Sequence, residues 1–520
     1  MEKELKFDKG YLKRTLWIGM AFFGILLVWQ LYNSYCSPML SFLFANAMFA
    51  DKIEAARAAW GAPGPTGFAT LGEAFNMTNI LRAGYLSEAE FLDVQWAVGI
   101  VMALDNIAAL FIMPIFGTLS DKTRTKIGKR MPYVIVGSAV TAIVMPFIPF
   151  FFNSGMAAIA AAGGAIGFTV GMIAMMVLII IFMMSYRSPA VALMPDLTPK
   201  PLRSRANGWI NIIGYVGGFI GSIFAIIFPL TTYINGGAKD LLMLEIPFIA
   251  SSLVLVASTV VLYFKVNENK LAEELHDDIV RGEAMGESAE QVTDNGKLSK
   301  TNKRNLILIL VAEVLWFMAI NAIETFQANY FMFHLNTTSA GGVIMTIVSG
   351  AASIVGFITA GIVADKIGRK WTILLGIGAA ALCYLAMSFV PSAVEVVGGV
   401  KQYTFEVAAP AFYFFIINFI LGLGVSFIHI CSFPLVIDYC TADKLGRFTS
   451  LYYTASMGAQ SVTPILIGWI LNLTMLWNVL PIYSTVLMVA AGVVFFFVKA
   501  PRYKDKTENA HGIEAFGAED

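Results

Sequence analysis

Long apolar runs alternate with short polar connections along almost the whole chain. A helix needs about 20 apolar residues to cross the hydrocarbon core of a bilayer. Twelve runs meet this requirement, six before the most polar connection and six after it. They predict twelve membrane-spanning helices at about residues 15–45, 94–118, 131–152, 165–194, 207–231, 243–265, 304–333, 340–364, 371–391, 410–438, 447–472 and 478–499.

The polar segments divide the chain into tails, bundles and a connector. The predicted parts are an N-terminal tail at 1–14, a six-helix bundle at 15–265, a connector at 266–303, a second six-helix bundle at 304–499 and a tail at 500–520. Within the first bundle, residues 46–92 are mixed in polarity and contain the turn-forming stretch GAPGP, so they are predicted to form an insertion outside the membrane. The run from Leu16 is too long for a signal peptide and meets no small-residue cleavage site, so we expect the first membrane helix there.

Composition supports a membrane protein. The 520 residues are 58% hydrophobic and only 13% charged, with a mean hydropathy of +0.72, whereas soluble domains carry roughly 25% charged residues. The four cysteines lie in or beside apolar runs without the spacing of a metal site or a disulfide framework, so we expect them to be packing residues.

The distribution of lysine and arginine predicts the orientation. Of the 35 such residues, 29 fall in the two tails and in the connections on one side, five fall on the other side, and Arg187 lies inside the fourth run. Because cytoplasmic loops carry the excess of positive charge, the first side is predicted to be cytoplasmic. Both termini would then be cytoplasmic, in a multi-pass protein of the plasma or inner membrane.

Two connections repeat the same pattern. GTLSDKTRTKIGKR at 117–130 follows the second run, and GIVADKIGRK at 361–370 follows the eighth. In each, a glycine lies four residues before an aspartate, and a second glycine precedes two cations. Asp121 and Asp365 are 244 residues apart, which is close to half the chain. A proline, an aspartate and an arginine also follow one another after both the fourth and the tenth run. Two such halves are typical of internally repeated transporters.

These stretches resemble the signature loop of the major facilitator superfamily, which occurs in both halves of its members. The first copy, from Ser120 to Pro132, is similar to that of the sugar-transporting branch that contains the sucrose transporters and the glycoside–pentoside–hexuronide cation symporters. The resemblance implies an all-α membrane protein with the major facilitator fold, in which twelve transmembrane helices form two pseudo-symmetric six-helix bundles. It also implies a secondary active transporter that takes up a sugar or glycoside by alternating access.

Residues of the repeated connections are predicted to form a cytoplasmic gate. Glycine permits tight turns, and an acid can pair with adjacent cations or with the positive N-terminus of a helix. Arg130 and Arg369 are the expected partners of Asp121 and Asp365. The alternative is that these cations serve membrane topology only. The predicted gate residues are Gly117, Asp121, Gly128, Arg130, Asp196, Arg203, Asp365, Gly368, Arg369, Asp438 and Arg447.

Ionisable residues inside apolar runs are candidates for ion coupling, because each is costly in lipid. Asp105 is expected to be a proton acceptor or substrate ligand, or else a packing acid beside Asn106. Glu313 and Glu324 are eleven residues apart, which puts them on one helix face; we expect a proton site and a substrate-side group, with a structural pair as the alternative. Arg187 is expected to pair with Asp105 or Glu313, or to extend to the cytoplasmic surface.

Neutral hydrogen-bonding side chains with aromatic neighbours suit the recognition of a sugar. The predicted substrate-binding residues are Gln30, Asn33, Asn211, Tyr215, Asn321, Glu324 and Asn418. The expected partners are a small-molecule substrate, a coupling ion and the lipid bilayer, for a monomer without a nucleic-acid partner. Paired aspartates of the melibiose-symporter type are not found around Asp105, which favours a proton over sodium as the coupling ion.

The chain is not expected to be an enzyme or to hold a cofactor or metal. It has no phosphate-binding GxxxxGK[ST] motif, and its four histidines are scattered. The alternatives left open are an exporter or antiporter of another metabolite or drug, and a sodium-coupled sugar symporter. A sensor built on the same scaffold is disfavoured, because the connector and tails are short for a signalling domain.

Overall fold

Long helices make up most of the protein. The computed structural model describes residues 8–51, 92–160, 164–199, 202–230, 243–281, 300–335, 339–390, 394–397, 400–403, 412–437 and 445–499. The predicted insertion at 46–92 and the tail at 500–520 fall largely or wholly outside these ranges.

The first half of the chain forms seven long helical segments and one short helix. They are α1 (Lys9–Met48), α2 (Gln95–Lys122), α3 (Met131–Val144), α4 (Phe147–Ala160), α5 (Ile166–Asp196), α6 (Arg203–Ile227), α7 (Glu245–Lys265) and the short α8 (Glu268–Glu274). The segments α3 and α4 make one span, and the break between them falls at Pro146, which has no backbone N–H to donate to the preceding turn.

The second half repeats the arrangement. Its helices are α9 (Lys300–Asn329), α10 (Ser339–Ile367), α11 (Arg369–Ser388), α12 (Phe412–Ile437), α13 (Leu445–Thr474) and α14 (Val479–Phe496). A π-helical turn, Tyr330–His334, extends α9. Between α11 and α12, β1 (Val394–Val397) pairs antiparallel with β2 (Val400–Tyr403), with Val394 opposite Tyr403.

The predicted all-helical membrane fold is confirmed in the described part of the chain, apart from the small β-pair. Eleven described helices are long and apolar enough to cross a membrane. The remaining predicted span, at about 447–472, is α13, which is 30 residues long but carries polar residues such as Gln460. It packs along α2 of the other half, so its polar side chains have protein neighbours as well as lipid.

The two halves meet along three pairs of helices. The largest contact is between α2 and α13, followed by α6 with α10 and α1 with α9. We call the end of the bundle that holds Lys122, Arg130 and Lys370 the charged end. The opposite end, which holds Asp93 and Asn329, is the far end.

Glycine allows α2 and α13 to touch backbone to backbone near the far end. A Cβ atom on Gly99 would collide with the carbonyl oxygen of Pro464, and one on Gly468 would collide with that of Gln95. Small residues permit such close approach between membrane helices. The contact between the halves therefore depends on these two positions.

Gly99→Ala is expected to destabilise the protein, because its methyl group must displace the Pro464 backbone. Overpacking of this kind typically costs about 1–3 kcal/mol. Unfolding in detergent, followed by circular dichroism, would measure the loss. Gly167→Ala is the matched control: no described atom lies within 4 Å of a Cβ placed at this position, so the stability of this variant should be unchanged or raised by up to about 1 kcal/mol. Equal stability of the two variants would contradict the proposed close contact.

Candidate functional site

A buried arginine ties three helices together at the charged end. Arg130 precedes α3 and is only 4% exposed. Its guanidinium donates to Ser120 Oγ at 2.5 Å and to the Asp121 carboxylate, and its Nε donates to Asp196 Oδ2 at 2.9 Å. Lys129 Nζ lies 3.0 Å from the same Asp196 oxygen. The network thus joins the end of α2, the start of α3 and the end of α5.

The carboxylates outweigh the cost of burying this cation. Burial alone would lower the pKa of Arg130, but its hydrogen bond and ion pair with Asp196, together with the charge of Asp121, raise that pKa above its ordinary value. The guanidinium is therefore held in its charged form. Removing one of its partners would leave a poorly compensated charge at a buried position.

The second glycine of both repeated motifs has the same unusual backbone. Gly128 has a φ of 114° and Gly368 a φ of 86°, in the left-handed region that other residues rarely adopt. Gly117, the first glycine, accepts a hydrogen bond from Ser120 Oγ at 2.8 Å through its carbonyl. The repeat in sequence therefore extends to a positive φ at the second glycine, although eight residues separate α2 from α3 and Gly368 alone separates α10 from α11.

Part of the predicted gate falls outside the described side chains. Arg369 is half-buried at the start of α11. The side chains of the other second-half residues and of one first-half residue lie outside the described part: Arg203, Asp365, Asp438 and Arg447.

Asp105 and Arg187 are neighbours inside the first half. Asp105 is buried, and its Oδ1 accepts from the backbone N–H of Asn106 at 2.6 Å and from Asn106 Nδ2 at 2.9 Å. Arg187 on α5 is in electrostatic range of Asp105 but forms no ion pair with it within 4.0 Å. Tyr32 of α1 is also in range of Asp105, and its buried hydroxyl has no hydrogen-bond partner.

Glu313 is a buried acid. Its side chain on α9 is fully buried, and neither carboxyl oxygen has a hydrogen-bond partner among the described residues. Tyr452 and Tyr453 of α13 lie within electrostatic range. The Tyr452 hydroxyl is 2.7 Å from Ser432 Oγ on α12. The immediate environment of Glu313 is therefore aromatic and apolar.

Glu324 has different surroundings from Glu313, although both lie on α9. It is exposed, and it is in electrostatic range of Tyr215 on α6 and Tyr384 on α11. The Tyr215 ring also lies 5.9 Å from the ring of Phe357 on α10. Because Tyr215 belongs to the first half, Glu324 faces the space between the two halves.

Asn33 lies at the same space. It is exposed on α1, one helical turn before Ser37, which contacts the second half. Residues four apart share a helix face, so Asn33 points toward the second half as Ser37 does.

The other predicted substrate residues occupy varied positions. Gln30 is half-buried, and its Nε2 donates to Ser34 Oγ at 3.4 Å. Asn211 is half-buried on α6. Asn321 is buried, with no partner for Oδ1. Asn418 donates to the carbonyl of Phe414 in its own helix at 2.9 Å.

Asn329 is the centre of a closure between the halves at the far end. Its Nδ2 lies within hydrogen-bond distance of Ser37 Oγ (3.1 Å), Ser41 Oγ (3.1 Å) and Gln95 Oε1 (2.8 Å). On the neighbouring helix pair, Asn472 Nδ2 donates to the carbonyl oxygen of Asp93 at 3.1 Å and to its carboxylate. Phe42 and Phe333 add a ring contact at 6.4 Å.

The hydrogen bonds between described residues that cross from one half to the other all lie at this far end. Ion pairs between described residues of the charged end stay within the first half and its connector. In the described part of the chain, the halves are therefore bonded at one end only.

Sequence reasoning did not predict this closure, nor did it single out Glu268. Amides inside apolar runs were the available signal for Asn329 and Asn472, but their partners come from distant parts of the chain. Glu268 lies in the polar connector yet is 3% exposed. Its one sequence signal is Asn267, a residue type favoured at helix N-caps, which accepts from the backbone N–H of Lys270.

Comparison with known proteins identifies the family model that fits the chain. The model described as Major Facilitator Superfamily matches residues 97–405 and 309–517. No curated protein sequence matches the chain significantly.

Several solved structures have a similar fold at low sequence identity, which shows the fold alone. A variant of the nucleoside transporter NupG is 12% identical, with 93% of this chain and 99% of that chain covered and a TM-score of 0.54. A bacterial homologue of the iron transporter ferroportin, in an inward-facing state, is 13% identical over 88% and 97% of the two chains, with a TM-score of 0.54. The human organic anion transporter MFSD10 (TETRAN) is 12% identical over 93% and 99%, with a TM-score of 0.52.

Arg130→Lys is expected to loosen the charged end, because one ammonium group cannot reproduce the guanidinium bonds to Ser120, Asp121 and Asp196. Bonds to charged partners contribute about 1.5–3 kcal/mol each. Trypsin should therefore cut the 122–130 connection several-fold faster in this variant, at a trypsin concentration that leaves the unaltered protein largely uncut.

Arg124→Lys is the control for this variant. Arg124 is exposed and bonds only to the carbonyls of Asp121 and Thr123 among described residues. Both substitutions keep a tryptic cleavage site, so cleavage that rises equally in the two variants would count against the Arg130 network.

Proposed function

Because this chain belongs to the Major Facilitator Superfamily, we propose that it is a secondary active transporter that takes up a sugar or glycoside together with protons. It works by alternating access, in which the two halves open the space between them to one side of the membrane at a time. The nucleosides, iron and organic anions named for its structural neighbours belong to those proteins, so the substrate class proposed here rests on the motif resemblance and on the polar residues of the site.

The observation that carries the proton-coupled mechanism is the unpartnered carboxyl group of Glu313. An ionised carboxylate without hydrogen bonds is very unfavourable inside a protein, and a charge at membrane depth is costly. The arrangement around Glu313 therefore favours the neutral, protonated acid. When α13 moves relative to α9 and water reaches the group, the ionised form becomes accessible and the proton leaves. Proton binding and conformation are then linked.

Asp105 and Arg187 form a second element of coupling. Their attraction depends on the charge of Asp105, so binding a proton to Asp105 releases Arg187. Both residues lie on helices of the first half, whereas Glu313 lies in the second. Each half would then carry one acid whose proton binding depends on the conformation of the transporter.

The substrate site that we propose lies between the halves, below the far-end closure. Asn33, Tyr215 and Glu324 border this space, and they offer an amide, a phenol and a carboxylate to a polyhydroxylated molecule. Asn321, Gln30 and Asn211 lie on the same three helices, whereas Asn418 bonds to its own helix. This distribution makes α1, α6 and α9 the main contributors to recognition.

The excess of cations makes the charged end the cytoplasmic end, with both termini inside the cell. The far-end closure is then the external gate. Because the described hydrogen bonds between the halves all lie there, we expect this conformation to open toward the cytoplasm. The Arg130 network of the first half and the start of α11 in the second half would meet when the charged end closes. The protein would act as a monomer in the plasma or inner membrane.

Gradient-driven uptake of labelled mono- and disaccharides into proteoliposomes tests this function. We expect accumulation under an imposed proton gradient. Glu313→Gln, which imitates the protonated acid, should lower gradient-driven accumulation by about tenfold or more while leaving exchange of labelled for unlabelled sugar intact. Asp105→Asn should also lower accumulation. Glu273→Gln, at an exposed position of α8, should behave as the parent.

The outcomes of this experiment separate the alternatives. Unchanged accumulation in both Asp105→Asn and Glu313→Gln would refute the coupling residues. Accumulation driven by a sodium gradient at equal pH would show that the coupling ion is sodium and not the proton. If none of the sugars were transported, the sugar symporter would be refuted and the exporter or antiporter alternative would take its place.

A further inference from the structure

We propose that Glu268 is a positioning residue for the charged-end gate: from the connector, its carboxylate caps the start of α3 and thereby holds Arg130 in place. The inference rests on the gating role of Arg130 under the proposed function. It adds to the gate a residue that lies outside both repeated motifs.

The Glu268 carboxylate binds three consecutive backbone N–H groups. Oε1 accepts from Lys129 at 3.0 Å and from Arg130 at 3.2 Å, and Oε2 accepts from Arg130 at 2.9 Å and from Met131 at 3.1 Å. The first N–H groups of a helix have no acceptor within that helix, and a negative charge there is favourable. No side chain of the adjoining residue caps α3, so Glu268 supplies the cap from a distant part of the sequence.

The loop around Gly128 has room for the Glu268 carboxylate because glycine carries no side chain. A Cβ atom on Gly128 would collide with the Glu268 carboxylate, and the φ of 114° at Gly128 also favours glycine. Next to it, Asn269 Nδ2 donates to the carbonyls of Thr125 and Lys126 at 3.0 Å each. The connector therefore satisfies donors and acceptors on both sides of the turn.

The rest of the described connector is attached to the first half as well. The Tyr11 hydroxyl at the start of α1 donates to Asp278 Oδ2 at 2.7 Å. Tyr11 also packs with Leu202 and Leu275 in a small apolar cluster separate from the main core. Residues 267–281 thus form a brace that links α1, the 117–130 loop and the residue before α6.

The brace acts on Arg130 through its backbone. The N–H of Arg130 bonds to both oxygens of Glu268, while its guanidinium bonds to Asp121 and Asp196. Main chain and side chain are therefore fixed from opposite directions. Without Glu268 the N–H of Arg130 loses both of its acceptors and only the carbonyl remains bonded, to Tyr133 and Val134. The guanidinium is then held less closely in the geometry that its carboxylate partners require.

Spin labels on Leu119→Cys and Ile362→Cys, in a parent whose four native cysteines are replaced by alanine, test this role. Both positions are exposed, on α2 and α10 near the charged end. Pulsed electron resonance in proteoliposomes of defined phospholipid measures how often the charged end is closed. We expect Glu268→Gln to lower the closed fraction by about fivefold or more. Glu273→Gln, on the same helix, should leave the distance distribution unchanged. An unchanged distribution in Glu268→Gln would overturn the proposal.

The double variant separates positioning from a merely structural effect. If Glu268 acts through Arg130, adding Glu268→Gln to Arg130→Lys should change the closed fraction little beyond Arg130→Lys alone. Effects that add in full would show that the two residues act independently and would overturn the positioning role.

Hydrogen exchange of the unaltered protein tests the cap without any substitution. Peptides that cover 125–131 should exchange at least about tenfold more slowly than an unbonded loop. Exchange at the rate of an exposed loop would overturn the proposal even if Glu268→Gln failed to fold. These measurements need no transported sugar, so they test the role of Glu268 even if the proposed substrate class is wrong.

Discussion

A polar group inside this bundle must bond to protein or face the space between the halves, because lipid offers it no hydrogen-bond partner. Arg130 meets this constraint with two carboxylates and a serine, and Asn329 meets it with acceptors from the other half. Glu313 is the exception, since neither of its oxygens has a partner among the described residues. The first two groups fix the ends of the bundle, and the third is left sensitive to any change in helix packing around it.

The two ends of the molecule are held in different ways. At the charged end, the described bonds connect α2, α3, α5 and the connector within the first half, and α9 and α11 with the end of α14 within the second half. At the far end, they connect the halves to each other through Asn329 and Asn472. A network confined to one half stays intact when the halves separate, so the first half can move as a rigid body. Only the far-end bonds must break for the opposite opening.

Sequence predicted the features that depend on local pattern. The number of spans follows from the length of the apolar runs, and the motif glycines were expected in tight turns, where the structure gives Gly128 and Gly368 a positive φ. Packing between segments that lie far apart in the chain could not be predicted from local pattern. Helical spacing placed Glu313 and Glu324 on one face of α9, but the packing of other helices against α9 makes the first buried and leaves the second exposed. In the sequence, Glu268 is one more residue of a polar connector, because its partners are more than 130 residues away.

The side chain of Asn329 has fewer N–H bonds than there are hydrogen-bond acceptors around its nitrogen. A side-chain amide carries two N–H bonds, yet three oxygens, those of Ser37, Ser41 and Gln95, lie within reach of its nitrogen. Among the described residues its own oxygen has no partner. The amide can therefore serve only two of the three oxygens at a time, and Ser41 Oγ also accepts from Gln95 Nε2 at 3.4 Å. The closure is thus one shared network of side chains from α1, α2 and α9, and parting the halves removes both N–H groups of Asn329 from all of their acceptors at once.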